Sequence, residues 1–198
     1  MKNTMTIICG IPRSGKSTWM KKNKVKEVVI SPDDIRRELF GHQFHALANQ
    51  FVFGVAEGMA TLLLKQGVDV IIDATSITYA VRAKWYRVAK ACNSKTKVIW
   101  VYAHKDKVKN FAYCLERNEL SPEGNKLPQD ALLRLANFFE EPDVVYEPID
   151  IYVEYKNVHR RKLPIDKRMI VSKGDSLMDI RKQWSEKWHV AEDKDEDS

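Results

Sequence analysis

Residues Gly10-Ile11-Pro12-Arg13-Ser14-Gly15-Lys16-Ser17 spell GxxxxGKS, and they stand between an apolar run, Met5–Cys9, and a helix-period segment over Ser14–Lys22. Few features restrict a fold as tightly. A loop of this spacing gathers its backbone N–H groups inward, with a strand to deliver the chain and a helix to carry it away. Gly10 and Gly15 allow the dihedrals and the close backbone approach such a turn demands. The following helix adds its positive end, so the element suits a polyphosphate. Read this way, Gly10, Ile11, Pro12, Arg13, Ser14, Gly15, Lys16, Ser17 and Thr18 form a nucleotide cradle. Lys16 reaches the β- and γ-phosphates and Ser17 ligates a metal ion. The cofactors expected are ATP, or another NTP, and Mg2+.

The rest of the chain repeats the same alternation. Apolar runs at Glu27–Ile30, Val68–Asp73, Lys97–Tyr102 and Ile149–Glu154 predict further strands. Helix-period segments over about 33–40, 44–65, 79–91, 106–118 and 128–139 separate them. In the long one, Phe51, Val55, Met59, Leu62 and Leu63 recur at spacings of three and four, and Gly67 supplies a stop. Leu120–Leu127 holds Ser, Pro, Gly and Asn and reads as a loop. Alternating strands and helices imply an α/β fold. The expectation is a P-loop NTPase-type three-layer sandwich with a mainly parallel, about five-stranded sheet, a helical lid and a C-terminal extension. Residues 1–155 would form the domain and 156–191 the extension. Within the extension, Lys156–Arg168 reads as a basic loop, Met169–Val171 as a short strand, and Asp175–Trp188 as a helix with Leu177, Ile180, Trp184 and Trp188 on one side. Residues 192–198 would be an acidic disordered tail.

Charge is unevenly spread. The chain is +6 overall, but Glu192–Asp197 carries five acids and one Lys, so residues 1–191 hold 32 bases against 22 acids. Such a surplus suits a polyanionic partner, and equally suits a soluble Lys-rich surface. No apolar run approaches the roughly 20 residues a bilayer requires. No long apolar leader precedes the first strand, which implies a cytoplasmic protein with no membrane partner. Cys9, Cys92 and Cys114 are scattered, without metal-ligand spacing, and read as reduced thiols, Cys9 and Cys114 among apolar neighbours.

Beyond the second strand lies Ser31-Pro32-Asp33-Asp34-Ile35-Arg36, at the sheet edge where α/β proteins place their sites. Spacing leaves two readings of Asp33 open: a helix N-cap, or the acceptor of a substrate hydroxyl's proton with Arg36 one turn on.

GIPRSGKSTW followed about 15 residues later by DDIR resembles the 5′-kinase domain of phage and bacterial polynucleotide kinases. The resemblance covers roughly residues 5–155. It implies that Asp33 is the general base for a 5′-hydroxyl and that Arg36 contacts the phosphate beside the reacting end. Asp73 at the end of IIDAT is then the acidic strand end facing the site, near magnesium or the acceptor, with Thr75 close by. Arg117, in Cys114-Leu115-Glu116-Arg117-Asn118, matches the first lid arginine over the transferring phosphate. Where the family has a second lid arginine this chain has Lys126-Leu127-Pro128, so Lys126 is the candidate for that nucleotide contact, as a point charge without the bidentate fork. The segments 139–142 and 147–150 echo scaffold after the lid. No DxDGT-type phosphatase signature follows.

The implied activity is transfer of the ATP γ-phosphoryl group to a 5′-hydroxyl end of DNA or RNA. The alternatives are another hydroxyl (a hydroxymethylated base in phage DNA, a nucleoside, a small molecule, or a zeta-toxin-like acceptor) or a nucleotide-dependent binding module. Oligomeric state has no signal in the sequence. Arg82 and Arg87 are weak candidates for substrate phosphates. Trp85 and Tyr86 fit core packing better than base stacking, and His42 and His45 fit a helix junction.

Overall fold

The protein is described from a computed structural model over residues 2–23, 25–41 and 46–157. Five strands, β1 (Thr4–Cys9), β2 (Val28–Ile30), β3 (Val70–Ile72), β4 (Lys95–Tyr102) and β5 (Ile151–Lys156), form one sheet in the order β2-β3-β1-β4-β5. Every neighbouring pair is parallel. Parallel strands need crossover connections, and a sheet covered on both faces needs near-continuous apolar strands. TMTIIC of β1 meets that demand: Met5, Ile7, Ile8 and Cys9 are fully buried. Each such isoleucine stabilises the fold by about 2 kcal/mol.

The pleat divides these side chains between two layers. Met5, Ile7 and Cys9 share one face with Val70, Ile72, Val98 and Trp100. Against them pack α3 (Ala46–Lys65), α4 (Tyr79–Ala91), α5 (Lys107–Glu119) and α6 (Gln129–Asn137). Ile8, Ile71, Ile99 and Val101 point to the other face, where Trp19 of α1 (Lys16–Asn23) covers them. The remaining helix, α2 (Pro32–Phe40), lies against α3. This is the expected three-layer α/β sandwich, with a sheet that is wholly rather than mainly parallel.

Two local expectations are corrected. The stripe expected on α3 was Phe51, Val55, Met59, Leu62 and Leu63. The buried stripe is Val52, Ala56, Ala60 and Leu64, while Phe51, Met59 and Leu62 are exposed. Small Ala side chains let a helix backbone approach its neighbours closely, so α3 settles on its small-residue face and turns the bulky one outward. Phe51 still meets Phe40 of α2 edge-on, with ring centroids 6.0 Å apart. The helix after the cradle begins at Lys16 rather than Ser14, because Arg13 (φ 68°) and Gly15 (φ 109°) are left-handed and incompatible with helix.

The predicted loop, strand and helix at 156–191, the tail 192–198, and His42 and His45 lie outside the described residues, apart from Lys156 and Asn157 at the end of β5. What the fold contributes to function is its carboxyl edge. Cys9, Ile30, Ile72, Tyr102 and Lys156 end their strands side by side, and β1 sits at the centre with its onward connection starting at Gly10. Ligands of open α/β sheets bind in such a crevice.

Candidate functional site

The cradle follows from the backbone upward. Gly10 adopts φ 154°, and a Cβ there would stand 2.5 Å from the Val101 carbonyl oxygen and 2.7 Å from Ser14 Oγ. At Gly15 a Cβ would collide with the side-chain amide of Asn157. The loop is closed by two backbone bonds: Gly10 N–H donates to the Thr75 carbonyl at 3.1 Å, and Ser14 N–H to Ile11 at 3.2 Å. Among the described residues no backbone carbonyl accepts from the N–H groups of Arg13, Gly15, Lys16, Ser17 or Thr18. Five orphan donors within six residues, four of them consecutive from Gly15 at the helix start, form an anion-binding surface. Lys16 curls over the loop, its Nζ donating to the carbonyls of Gly10 (2.9 Å) and Ile11 (3.1 Å). Burial lowers the Lys16 pKa, opposed chiefly by Asp73 and more weakly by Cys114, Cys9 and Asp33.

The acidic side of the site comes from the ends of β2 and β3. Ser31, not Asp33, is the N-cap of α2: its Oγ accepts from Asp34 N–H at 3.1 Å, and Pro32 occupies the first helical position. That removes the capping explanation for Asp33. The Asp33 side chain is 79% exposed and its carboxylate takes a short ion pair from Arg36 Nη1. Arg36 is mostly buried and reaches Asn49 Oδ1 of α3 with Nη2 at 2.7 Å. Asn49 had no signal in the sequence, since its role depends on α3 lying beside α2. Asp73, just past β3, is raised above the usual carboxylate range by burial, against the pull of Lys16 and with a further push from Asp33. Lys16, Asp73 and Asp33 therefore share one electrostatic neighbourhood. Thr75 enters it through its carbonyl, as the partner of Gly10.

The third side is the lid. Arg117 closes α5, and its Nη1 is buried without a hydrogen-bond partner. The next residue, Asn118, is fully buried and clamps the lid base: Nδ2 donates to the Leu127 carbonyl at 2.8 Å while Oδ1 accepts from Leu127 N–H at 3.0 Å. Lys126 turns to Glu123, 3.0 Å away. Arg13 crosses from the cradle to this base, its Nε donating to Asn118 Oδ1 at 3.3 Å and its Nη2 to the Asn125 carbonyl.

Arg82 does not join the site. It is fully buried, and its guanidinium makes a two-pronged pair with Glu147 at 2.8 and 2.6 Å. Its Nη1 also donates to the carbonyls of Ser76 (3.1 Å) and Glu140 (2.9 Å). The sequence reading offered Arg82 as a weak candidate for substrate phosphates; the folded chain makes it the bolt behind the turn that ends at Ser76. Arg87 is exposed on α4, and Trp85 and Tyr86 are core residues. Cys9 and Cys114 are free and buried, and burial pushes both thiols up to about 12.

Asn157 was missed altogether. It extends the β5 ladder, N–H to the Tyr102 carbonyl at 2.7 Å, and its Nδ2 donates to the Ser14 carbonyl at 3.0 Å. The side chain thus props the cradle from below at the one place where Gly15 leaves room. Asn157→Ala strands the buried Ser14 carbonyl and is expected to cost about 1–3 kcal/mol of stability and to raise KM for nucleotide. Denaturant titration together with nucleotide titration checks both effects.

A crevice at the carboxyl edge of an all-parallel sheet, with GxxxxGKS after its central strand and a lid over it, defines a P-loop kinase fold. The sequence model of the AAA domain family matches residues 5–142, and the chain belongs to that family. No curated protein matches it by sequence. Among solved structures, a chain of the Pnkp1/Rnl/Hen1 RNA repair complex is similar at TM-score 0.56 and 20% identity, covering 69% of this chain and 43% of that one. Kti12 of Chaetomium thermophilum, solved with ADP-AlF3, is similar at 0.52 and 16% identity, over 93% of this chain and 97% of that one. A chain of the PezAT toxin-antitoxin system of Streptococcus pneumoniae is similar at 0.52 and 17%, over 78% and 67%. These likenesses show a shared fold. No helix among the described residues is long and apolar enough to cross a membrane.

Proposed function

We propose that the protein is a kinase that transfers the γ-phosphoryl group of ATP, or another NTP, to a 5′-hydroxyl end of DNA or RNA. The observation that carries this reading is the convergence of Lys16, Asp73 and Asp33 in one neighbourhood, with Asp33 exposed and free of any capping duty. The open carboxylate suits an acceptor brought from outside, and Arg36 beside it suits the phosphate next to the reacting end. The similar chain in an RNA repair complex points the same way.

In the step proposed, the acceptor oxygen attacks the γ-phosphorus in line. A new O–P bond forms as the bond between the γ-phosphorus and the bridging oxygen breaks, and ADP leaves. The hydroxyl proton passes to the Asp33 carboxylate. Lys16 and Arg117 neutralise charge spread over the transferring oxygens. Arg36, held by Asp33 and Asn49, orients the acceptor strand.

Magnesium fits this donor set. Among the described residues no group of three or more His, Cys, Asp or Glu forms a metal cage, and Mg2+ characteristically takes one or two protein oxygens and completes its octahedron from phosphates and water. The Ser17 hydroxyl, exposed at the start of α1, and the Asp73 carboxylate would hold it. There it would supply positive charge against the charge that develops on the phosphates.

The deciding experiment offers γ-labelled ATP to 5′-hydroxyl oligonucleotides, hydroxymethyl-containing duplex DNA and nucleosides side by side. Label on 5′ ends is expected. Label confined to nucleosides would remove the polynucleotide reading. For a strand substrate, KM should rise steeply with salt, because each neutralised phosphate contributes a slope of about 0.7 to 0.9 in log–log form; a flat response counts against it.

A further inference from the structure

We propose that Arg13, inside the cradle, is a catalytic residue: the second arginine on the transferring phosphate, acting with Arg117 where the sequence pattern pointed to Lys126. The inference rests on the kinase reading above and specifies how charge is neutralised there.

Three observations converge on it. First, Arg13 takes a left-handed conformation, φ 68°, within the phosphate loop, and its side chain reaches across to the lid base, where it donates to Asn118 Oδ1 and the Asn125 carbonyl. Second, Arg13 and Arg117 repel: burial lowers the Arg13 pKa and the Arg117 charge lowers it further. Among the described residues neither guanidinium has a carboxylate within ion-pair distance; Arg117 lies over the Tyr113 ring, 5.7 Å from its centroid, and its Nη1 is buried without a hydrogen-bond partner. Two half-buried cations with no counter-anion form a site for a polyanion, because desolvated like charges are costly until an opposite charge arrives. Third, Lys126 is engaged with Glu123 on the outer edge of the lid loop. A Lys is also a point charge, whereas a guanidinium fork grips two oxygens of one phosphate.

The position carries a second consequence. Arg13 hydrogen-bonds both Asn118, which clamps the lid base, and the Asn125 carbonyl in the lid loop. One side chain therefore joins the phosphate loop to the lid. A phosphate that engages the Arg13 fork competes with those lid acceptors, so nucleotide occupancy is felt at residues 118–127.

The test compares full-length wild type, Arg13→Gln and Arg13→Lys for affinity to ADP and to ADP with aluminium fluoride, and for kcat and KM of ATP, each protein first checked by thermal melting. Arg13→Gln is expected to keep ADP affinity within about threefold of wild type and to lose about 10²- to 10³-fold in kcat and in the aluminium fluoride increment. Arg13→Lys should recover only part of that loss. Hydrogen exchange at Leu127 should respond to ATP in wild type and not in Arg13→Gln. An equal loss for ADP and its aluminium fluoride complex, full rescue by Lys, or an unchanged kcat would each overturn the proposal. No acceptor strand enters the binding measurements, so failure here leaves the acceptor assignment standing. Wild type that binds neither ligand would instead overturn the kinase reading and this inference with it.

Discussion

Asparagine at position 33 is expected to lower kcat by about 10²- to 10⁴-fold, the range attached to a positioned proton acceptor, with nucleotide affinity nearly unchanged. The expectation follows from where Asp33 sits. Ser31 caps α2, so the Asp33 carboxylate is not consumed in holding its helix. It is 79% exposed, so its removal leaves no buried gap. Its ion-pair partner is Arg36, one turn away and itself held by Asn49. A structural role would show as a lower melting temperature, whereas the catalytic role shows as lost turnover at unchanged melting. Single-turnover phosphoryl transfer, nucleotide titration and a thermal melt on Asp33→Asn separate the two. A variant that turns over normally removes Asp33 from the mechanism, and a nucleotide-dependent binding module would then be the better description.

The largest effect on stability is expected at Glu147. Its carboxylate receives Arg82 at 2.8 and 2.6 Å, the Tyr86 hydroxyl at 2.6 Å and Asp143 N–H at 3.1 Å. Both Arg82 and Glu147 are almost wholly buried. Glu147→Gln leaves the guanidinium charged and uncompensated in the core, which costs about 3–5 kcal/mol, or on the order of 10 °C in melting temperature for a domain of this size. Replacing both partners together with apolar residues should cost much less, since an ion pair buried as a unit contributes little net stability. Burial by itself raises the Glu147 pKa. The hydrogen bonds from Arg82 and Tyr86 outweigh it and hold the carboxyl below its ordinary 4.5. A lowered folded-state value means the contribution is complete above the unfolded value and disappears as pH falls through the folded one. The gap between wild type and Glu147→Gln should therefore be constant above about pH 4.5 and close below it. Urea denaturation of both proteins across that range measures it. A gap that widens on acidification would contradict the assigned pairing.

These two sites show how differently residues declare themselves. GxxxxGKS specifies its own structure, because a turn that gathers N–H groups leaves no alternative to glycine at Gly10, where Val101 and Ser14 crowd the backbone. Parallel pairing was likewise legible, since near-continuous apolar runs such as MTIIC and KVIWVY, alternating with helices, suit strands buried on both faces; the strand order was not. The charged helix residues were not. Arg82 and Arg87 look alike in a helix-period pattern, yet one is buried behind the site and the other is exposed. The α3 face was misread for the same reason: bulk predicts burial only when the neighbouring surface has room for it.

By itself, then, the sequence determined the polyphosphate cradle, the α/β architecture and the carboxylates at the ends of β2 and β3, because each depends on local dihedrals or on the periodicity of one segment. Tertiary structure alone decided that Asn157 props the cradle, that Asn49 holds Arg36, that Glu147 takes Arg82, and that Arg13 reaches Asn118 at the lid base. Each of those depends on two segments between 13 and 143 residues apart in the chain meeting at a few ångströms. Local periodicity holds no record of that distance; only the packing of helices onto a particular strand order sets it.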